Sequence, residues 1–467
     1  MKAHRKALSI LAMALAVALA FFIVPAITDS GGQASAAKPL QLIYYDGHMH
    51  TARSDGTGSV ADIKATAQAR GLSAVIITDH CWELTREEWK SLVAETKAAS
   101  DGSFLALPAF EMTGREGIFN RGHMNAYNVP NPFVGEDGSN ELCPEEVWPD
   151  ADEGGNPAGT GVMYPENLAK WAEYVHSQSG IAQHNHTSGT TQLGYGVDTI
   201  ELYNQSHVDD VMSYAMALGI PPADAWGFAI TMNNFAVYGE RDLNTTVTLP
   251  GFPPMSLRLA IFMATGFIPP YLGQIIGWNP PAPPDPSLAG DLNSWDELLM
   301  AYVNRETDRP VFGTANSDAH NTADIANSKV GSAKNGLYVK KLSADEIYKA
   351  IAAGHSFATT GPSLTFDVNG QIMGDTAKIA VGGSANLSLS AKAETPGYLL
   401  ARIDIYRNGQ VWKTKYPIML PAYSWPQTDT VTEDGYYRVE VTSCKLVGMQ
   451  CVAYQFAWSN PVFVDVQ

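Results

Sequence analysis

Positive charge is scarce in this sequence. Its 467 residues carry 30 Lys and Arg against 48 Asp and Glu, for a formal net charge of −18. Such a field repels nucleic-acid phosphates and argues against any nonspecific DNA- or RNA-binding role. Small anionic substrates stay open, because bound cations reverse the potential locally. Cysteine is scarce too, at four residues. The lack of thiolates argues against a Cys-type structural zinc site, and four cysteines fit an exported protein that does not depend on disulfides. Cys444 and Cys451 flank KLVGMQ between two strand-like runs, so they either close a hairpin or remain buried thiols. Cys81 follows His80 directly and is expected to point away from it, with no ligand role. No Gly-x-Ser-x-Gly sits at a strand–helix turn, so a serine nucleophile of that kind is not indicated. No long segment has the composition of disorder, since 45% of residues are hydrophobic and 17% charged.

Residues 1–37 read as a signal peptide. MKAHRK is a short cationic start, ALSILAMALAVALAFFIVPAI is continuously apolar, and GGQASAAK offers small residues for cleavage after about Ala36 or Ala37. This predicts a secreted, periplasmic or surface-exposed protein with no stable membrane span once cleaved. The alternative is an uncleaved anchor, since the apolar run approaches the length of a span.

Beyond it, short apolar runs alternate with helical patterns. LIYYDGH (42–48), SAVIITDH (73–80), FLALPAFE (104–111), GIAQHNH (180–186), TIELYN (199–204) and RPVFGTANSD (309–318) read as buried strands. SVADIKATAQARG, REEWKSLVAETKAA and PENLAKWAEYVHSQSG read as the helices between them. Repeated strand–helix–strand units predict an α/β fold with parallel strands, most simply closed into a barrel. From about residue 361 the pattern becomes short alternating strands, with Asn408-Gly409 as a hairpin turn, which predicts a β-sandwich.

Histidine and carboxylate residues are abundant at one kind of place. His48, His50, His80, Glu111, His184, His186, Asp318 and His320 all fall at or just beyond the C-terminal end of an apolar run. In a parallel α/β barrel the active site forms at that end. A single strand-end histidine is more often a turn or core residue than a ligand. The repetition is what argues for a metal site, and mixed N/O ligands suit Zn, Mn or Fe. His176, inside a helical pattern, and His207, without a matching partner, read as structural. Arg53, Arg121 and Asn316 lie beside these motifs and either grip an anionic group or serve the scaffold.

HMHTARSDG, the ITDH ending at His80, Glu111 followed by GHMNAYN, HNH and NSDAH resemble the ordered motifs of the PHP (polymerase and histidinol phosphatase) superfamily over residues 40–360. GHSFATTGPSLTFDVNGQIMGDTA and AWSNPVFV are similar to its carbaryl-hydrolase-like branch. The resemblance implies a distorted TIM-like (β/α)7 barrel over 38–360 with an insertion at about 205–300, and a C-terminal β-sandwich domain over 361–467. It also implies two or three divalent ions. His48, His50, Glu111 and Asp318 would hold one; Glu111, His123 and either His184 or His186 a second; Asp55, His80 and His320 a third. Glu111, Asp318 and His320 would stand closest to the chemistry. The family usually shows one histidine before proline at the fifth motif, whereas this chain has His184, Asn185 and His186 and no proline.

A clustered site of this kind hydrolyses esters by metal-activated water. The resemblance favours a phosphoester, with carboxylic or carbamate esters as the alternative. A non-catalytic metal-binding surface protein is a more distant alternative, as is a nuclease-like role. The insertion carries MSLRLAIFMATGFIPPYLGQIIGW and NPPAPPDP, which read as a core hairpin, as a lid over an apolar substrate pocket, or as a membrane contact.

Overall fold

The structure, a computed structural model, describes residues 40–81, 83–116, 119–130, 165–185, 196–217, 222–233, 246–247, 255–256, 295–417, 419–447 and 450–467. The signal-peptide reading, His186 and nearly all of the long apolar insertion segment lie outside these residues, as do the side chains of Arg121 and His207. The described residues from Leu40 to Gln467 form one compact unit.

β1 (Gln41–Asp46), β2 (Ala74–His80) and β3 (Leu105–Glu116) are parallel neighbours, linked by helices α1 (Val60–Ala69) and α2 (Arg86–Ala99). Both helices start at a capping box, Ser59 with Asp62 and Thr85 with Glu88, which satisfies the first free backbone N–H groups. β2 is buried along its whole length, as a continuous apolar run between two covered faces must be. β4 (Phe119–Tyr127) begins two residues after β3 ends, and a link that short can only fold the chain back. β3–β4 and β4–β5 are therefore antiparallel, with β5 at Ile181–Asn185 after helix α3 (Pro165–Ser177). β6 (Thr199–Asn204) runs parallel to β5, and α4 (Gln205–Ala217) and α5 (Pro222–Asn233) follow it. Within the insertion, β7 (Thr246–Val247) pairs with β8 (Met255–Ser256). After α6 (Trp295–Val303), β9 (Phe312–Asn316) joins parallel to β6. β10 (Lys334–Val339) then lies antiparallel to β1, α7 (Ala344–Ala352) follows, and β11 (Ser356–Thr359) pairs with β10.

The expected parallel, closed barrel is thus corrected to a mixed sheet that the backbone ladder leaves open. Among the described residues β9 pairs only with β6. Side-chain amides serve its other edge. Asn460 Oδ1 accepts from Gly313 N at 2.7 Å, Asn335 Oδ1 accepts from Ala315 N at 2.9 Å, and Asn335 Nδ2 donates to Ala315 O at 2.8 Å. Residues 313 and 315 present their backbone groups to the same edge, so two asparagines stand where a strand would.

Eleven further strands lie within 363–466 among the described residues. They form two sheets around a shared core in which Leu364, Phe366, Leu387 and Leu389 meet Ile403, Ile405, Val439 and Val441. Asn408 (φ 51°) and Gly409 (φ 74°) make the predicted two-residue hairpin turn. The larger of these sheets is continuous with the first part of the chain. β11 pairs with strand Gln450–Ser459, Phe357 opposite Ser459, so hydrogen bonding runs across the expected boundary at 360/361. Cys444 and Cys451 are bonded to each other, and Cys81 is also disulfide-bonded, which removes it as a thiolate ligand.

Candidate metal centre

The pleat of the sheet decides which side chains meet. Ile43 and Tyr45, Ala74 and Ile76, Leu107 and Ala109, Tyr127, Ile181 and Leu337 share one inner core, which Ile347 and Ile351 of α7 join. Two residues further along the same face, the composition switches from apolar to polar. His80 follows Ile76 and Thr78, and Glu111 follows Leu107 and Ala109. His123 and Asn125 precede Tyr127, while Gln183 and Asn185 follow Ile181. One face of a curved sheet therefore carries an apolar floor and a ligand-rich rim.

Glu111 stands at the centre of the rim, fully buried. Its Oε2 lies 3.3 Å from His48 Nε2, 3.3 Å from His50 Nε2 and 3.2 Å from His80 Nδ1, and its Oε1 lies 2.7 Å from His123 Nδ1. Asp318 Oδ1 lies 3.1 Å from His50 Nε2 and 3.3 Å from His48 Nε2. On the open side Asp55 approaches His80 at 3.4 Å and His320 at 3.2 Å, and both Asp55 and His320 are more than a third exposed. Ligand atoms thus gather into three overlapping groups: His48–His50–Glu111, His80–Glu111–His123, and His50–Asp55–His80–His320.

The surrounding residues aim these ligands. His48 Nδ1 bonds Glu201 Oε1 at 2.8 Å, and His320 Nδ1 bonds the Asp318 carbonyl at 2.9 Å, so each turns Nε2 toward the cluster. Asp79 Oδ2 accepts from Thr51 Oγ1 at 2.7 Å and its Oδ1 from Ser54 Oγ at 2.9 Å, which fixes the loop between His50 and Asp55. Asp46 accepts from the backbone N–H of His48 and Ser317. Asp318 adopts φ 50°, a left-handed conformation that aspartate tolerates better than most residues. Glu201, Asn204, Asp46 and Asp79 were not picked out by sequence reasoning. Glu201 and Asn204 lie in TIELYN, where polar residues inside a wholly buried strand were the available signal.

Electrostatics follow this geometry. Burial alone would raise the Glu111 pKa, but His123, His48 and His80 hold it well below the usual carboxylate range. Burial opposes a proton on His48, yet Asp318, Glu111 and Glu201 raise its pKa well above that of a free imidazole. For His50 burial prevails and the pKa falls. His320 is lifted to about 9 by Asp55 and Asp318 against the opposing effect of burial. The donor set fits divalent cations. It combines imidazole Nε2 atoms oriented from behind with a buried carboxylate shared between groups.

The other predicted residues fare differently. His184 is not brought into the cluster. Gln183 Nε2 bonds Glu201 and Asn185 Nδ2 bonds Glu111 at 2.9 Å, so the residue between them turns to the opposite face. Arg53 is engaged by Glu95 and Ser91 of α2 rather than presented to a ligand. Asn316 is fully buried. It accepts from Gly47 N at 2.9 Å and donates to Glu201 Oε1 at 2.9 Å, which makes it part of the scaffold rather than a substrate contact. His176 bonds Asp198 at 2.7 Å, away from the cluster, as a structural residue would.

No protein-family model matches the chain, and no curated protein does. Solved structures show distant likeness. A two-domain protein from Bacteroides vulgatus, described as containing a predicted PHP-like metal-dependent phosphoesterase, aligns at TM-score 0.36 and 10% identity over 94% of this chain and 100% of its own. An amidohydrolase from Chromobacterium violaceum with bound sulfate and no metal aligns at TM-score 0.24 and 18% identity over 39% of this chain and 84% of its own. A CARDB domain from Pyrococcus furiosus, in complex with di-metal ions, aligns at TM-score 0.15 and 20% identity over 23% of this chain and 96% of its own. Likeness at this level carries no functional argument, and the case for function rests on the side chains gathered around Glu111.

Proposed function

We propose that the protein is a metal-dependent hydrolase of the PHP type that cleaves an ester bond, with a phosphoester as substrate. The observation that carries this reading is the set of three overlapping ligand groups sharing Glu111, His50 and His80. His48, His50, Glu111 and Asp318 would hold one ion, Glu111, His80 and His123 a second, and Asp55, His80 and His320 a third, with His80 assigned to one of the last two according to how many ions are bound. Divalent ions at such a site make water a nucleophile near neutral pH and offset charge on the attacked centre. The chain's own contribution is orientation. Glu201 holds the His48 ring, the Asp318 carbonyl holds the His320 ring, and Asp79 fixes the loop that carries Asp55. Substrate would enter from the side of Asp55 and His320, where the cluster meets solvent. With only two ions bound, His320, the more exposed histidine, would instead be free of a metal and would hold or pass a proton to a leaving oxygen.

Export by the N-terminal segment belongs to this proposal, and N-terminal sequencing of protein recovered outside the cytoplasm checks it. Among the described residues, no helix is long and apolar enough to cross a membrane. The activity test is hydrolysis of p-nitrophenyl phosphate, its bis-ester and p-nitrophenyl acetate after loading with Mn, Zn or Fe, beside Asp318→Ala. Turnover of a phosphate compound that Asp318→Ala abolishes supports the proposal. Turnover of acetate alone moves the substrate to carboxylic or carbamate esters. Tight metal binding with no turnover of any probe counts against a hydrolase.

A further inference from the structure

A second cluster of charge lies outside the metal centre. A cleft of about 860 Å³ opens between the loop at 326–334 and the Thr360–Gly361, Glu394–Pro396 and Gln455 side. In a chain of net charge −18, this cleft is lined by three cations, Arg70, Lys329 and Lys334.

Lys329 is paired with Asp209. Among the described residues, the other two have no carboxylate in contact. Arg70 donates through Nη1 to the Val330 carbonyl at 2.6 Å. Lys334 rests its ammonium 5.0 Å from the Tyr44 ring centroid. The negative groups that act on them are already engaged. Asp46 accepts from the backbone N–H of Gly331, Ser317 and His48, and Glu394 is held by Lys392 and Ser363. Burial lowers the pKa of both cations, against the fields of Asp46 and, for Lys334, Glu394. Two more lining residues keep polar atoms away from solvent with no hydrogen-bond partner among the described residues, Ser332 Oγ and Gln455 Oε1. Gly361 lies against that Gln455 amide, and any Cβ there would collide with it.

A buried polar atom left unpaired is costly, and a partly desolvated cation without a counter-charge more so, unless something fills the site. We infer that this cleft binds a small organic anion. Its oxyanion head group would be held by Arg70, Lys334 and the Ser332 hydroxyl, and a hydroxyl or amine on the same molecule would donate to Gln455 Oε1. The shared chemistry is an oxyanion beside a hydrogen-bond donor, and the head group can be phosphoryl or carboxylate. The site is separate from the cluster around Glu111, so its occupation does not depend on which ester that cluster cleaves.

Metal-free full-length protein is titrated calorimetrically with inorganic phosphate, glycerol phosphate and glycerate. Saturable binding at one equivalent is expected for at least one probe, and glycerol phosphate against glycerate distinguishes the phosphoryl from the carboxylate head group. Arg70→Gln and Lys334→Met weaken it by about tenfold or more. Lys334→Met keeps the stem over Tyr44, and Lys334→Arg restores the charge and retains binding, which separates loss of charge from loss of fold. His320→Ala, in the metal cluster, leaves binding unchanged. Absence of saturable binding for all three probes overturns the inference. So does undiminished binding in Lys334→Met, or loss of binding in His320→Ala.

Discussion

Glu201 shows how a single residue outside the first set of ligands can govern the site. It bonds His48 Nδ1 at 2.8 Å and receives the Asn316 amide at 2.9 Å, so one carboxylate fixes both a ligand ring and the strand beside it. Glu201→Ala is expected to weaken metal binding by about 10–100-fold, the usual effect of removing a histidine's supporting carboxylate. Glu201→Gln, which still offers an acceptor to Nδ1, should lose much less. Equal metal content in wild type and Glu201→Ala after dialysis would refute this role. Protonation belongs to the same scale. His320 has a pKa of about 9 in the metal-free protein, so it carries a proton at pH 7, and the pKa of His48 is raised as well. Ligation needs neutral rings, so metal uptake at pH 7 should release protons and apparent affinity should rise with pH until His320 has titrated. The sign for the metal-free fold is opposite. The stabilisation from protonated His320 is complete below 6.5 and is lost as pH rises through about 9. Calorimetry of metal binding in buffers of different ionisation enthalpy counts the protons, and a count of zero at pH 7 contradicts the assignment.

The edge of β9 is the corresponding feature among the elements. Strand patterning predicted β9 and its ligand-bearing end, but not what lies beside it. Asn460 is more than a hundred residues away in sequence, and Asn335 lies in β10, whose own backbone pairing is with β1 and β11. Asn460→Ala removes the acceptor for Gly313 N and leaves a buried donor without a partner, so a loss of about 1–3 kcal/mol is expected. Asn460 contacts Gly313 and Ser356 rather than the ligand cluster, so metal stoichiometry should not change. A urea midpoint identical to wild type would show that the edge does not need this bond. The same scale explains why the parallel-barrel expectation failed at β4. Two residues between strands permit only a reversal, and Gly117 in RE-GI-FN (115–120) is a weaker announcement of one than an Asn-Gly pair.

At the scale of the whole molecule, the C-terminal strands are joined to the site-bearing half by more than sequence. Arg438, fully buried, forks onto Asp296 of α6 at 2.7 and 2.8 Å and lies over the Tyr406 ring at 3.8 Å. Tyr436 donates to the same carboxylate at 2.7 Å. Asp296→Ala would leave the buried guanidinium short of its main counter-charge. A loss of about 3–5 kcal/mol is expected, with partial recovery when Arg438→Met is added. A urea denaturation series on the full chain measures this, and a loss below about 1 kcal/mol would mean that Glu440, which accepts from Arg438 Nη1, alone suffices.

The sequence by itself determined the α/β alternation, the change to short strands after residue 360, the Asn408-Gly409 turn and the identity of most residues that gather around Glu111. These are legible because each rests on local pattern: alternation along a strand, helical spacing, or a ligand type at a strand end. Only the tertiary structure decided that His184 faces away, that Arg53 belongs to Glu95 and Asn316 to the scaffold, and that Glu201 aims His48. It also decided that asparagine side chains occupy the gap where a barrel ladder was expected. Each of these depends on which strand lies beside which and on the register between them, and such contacts join residues too far apart in the chain for local periodicity to record.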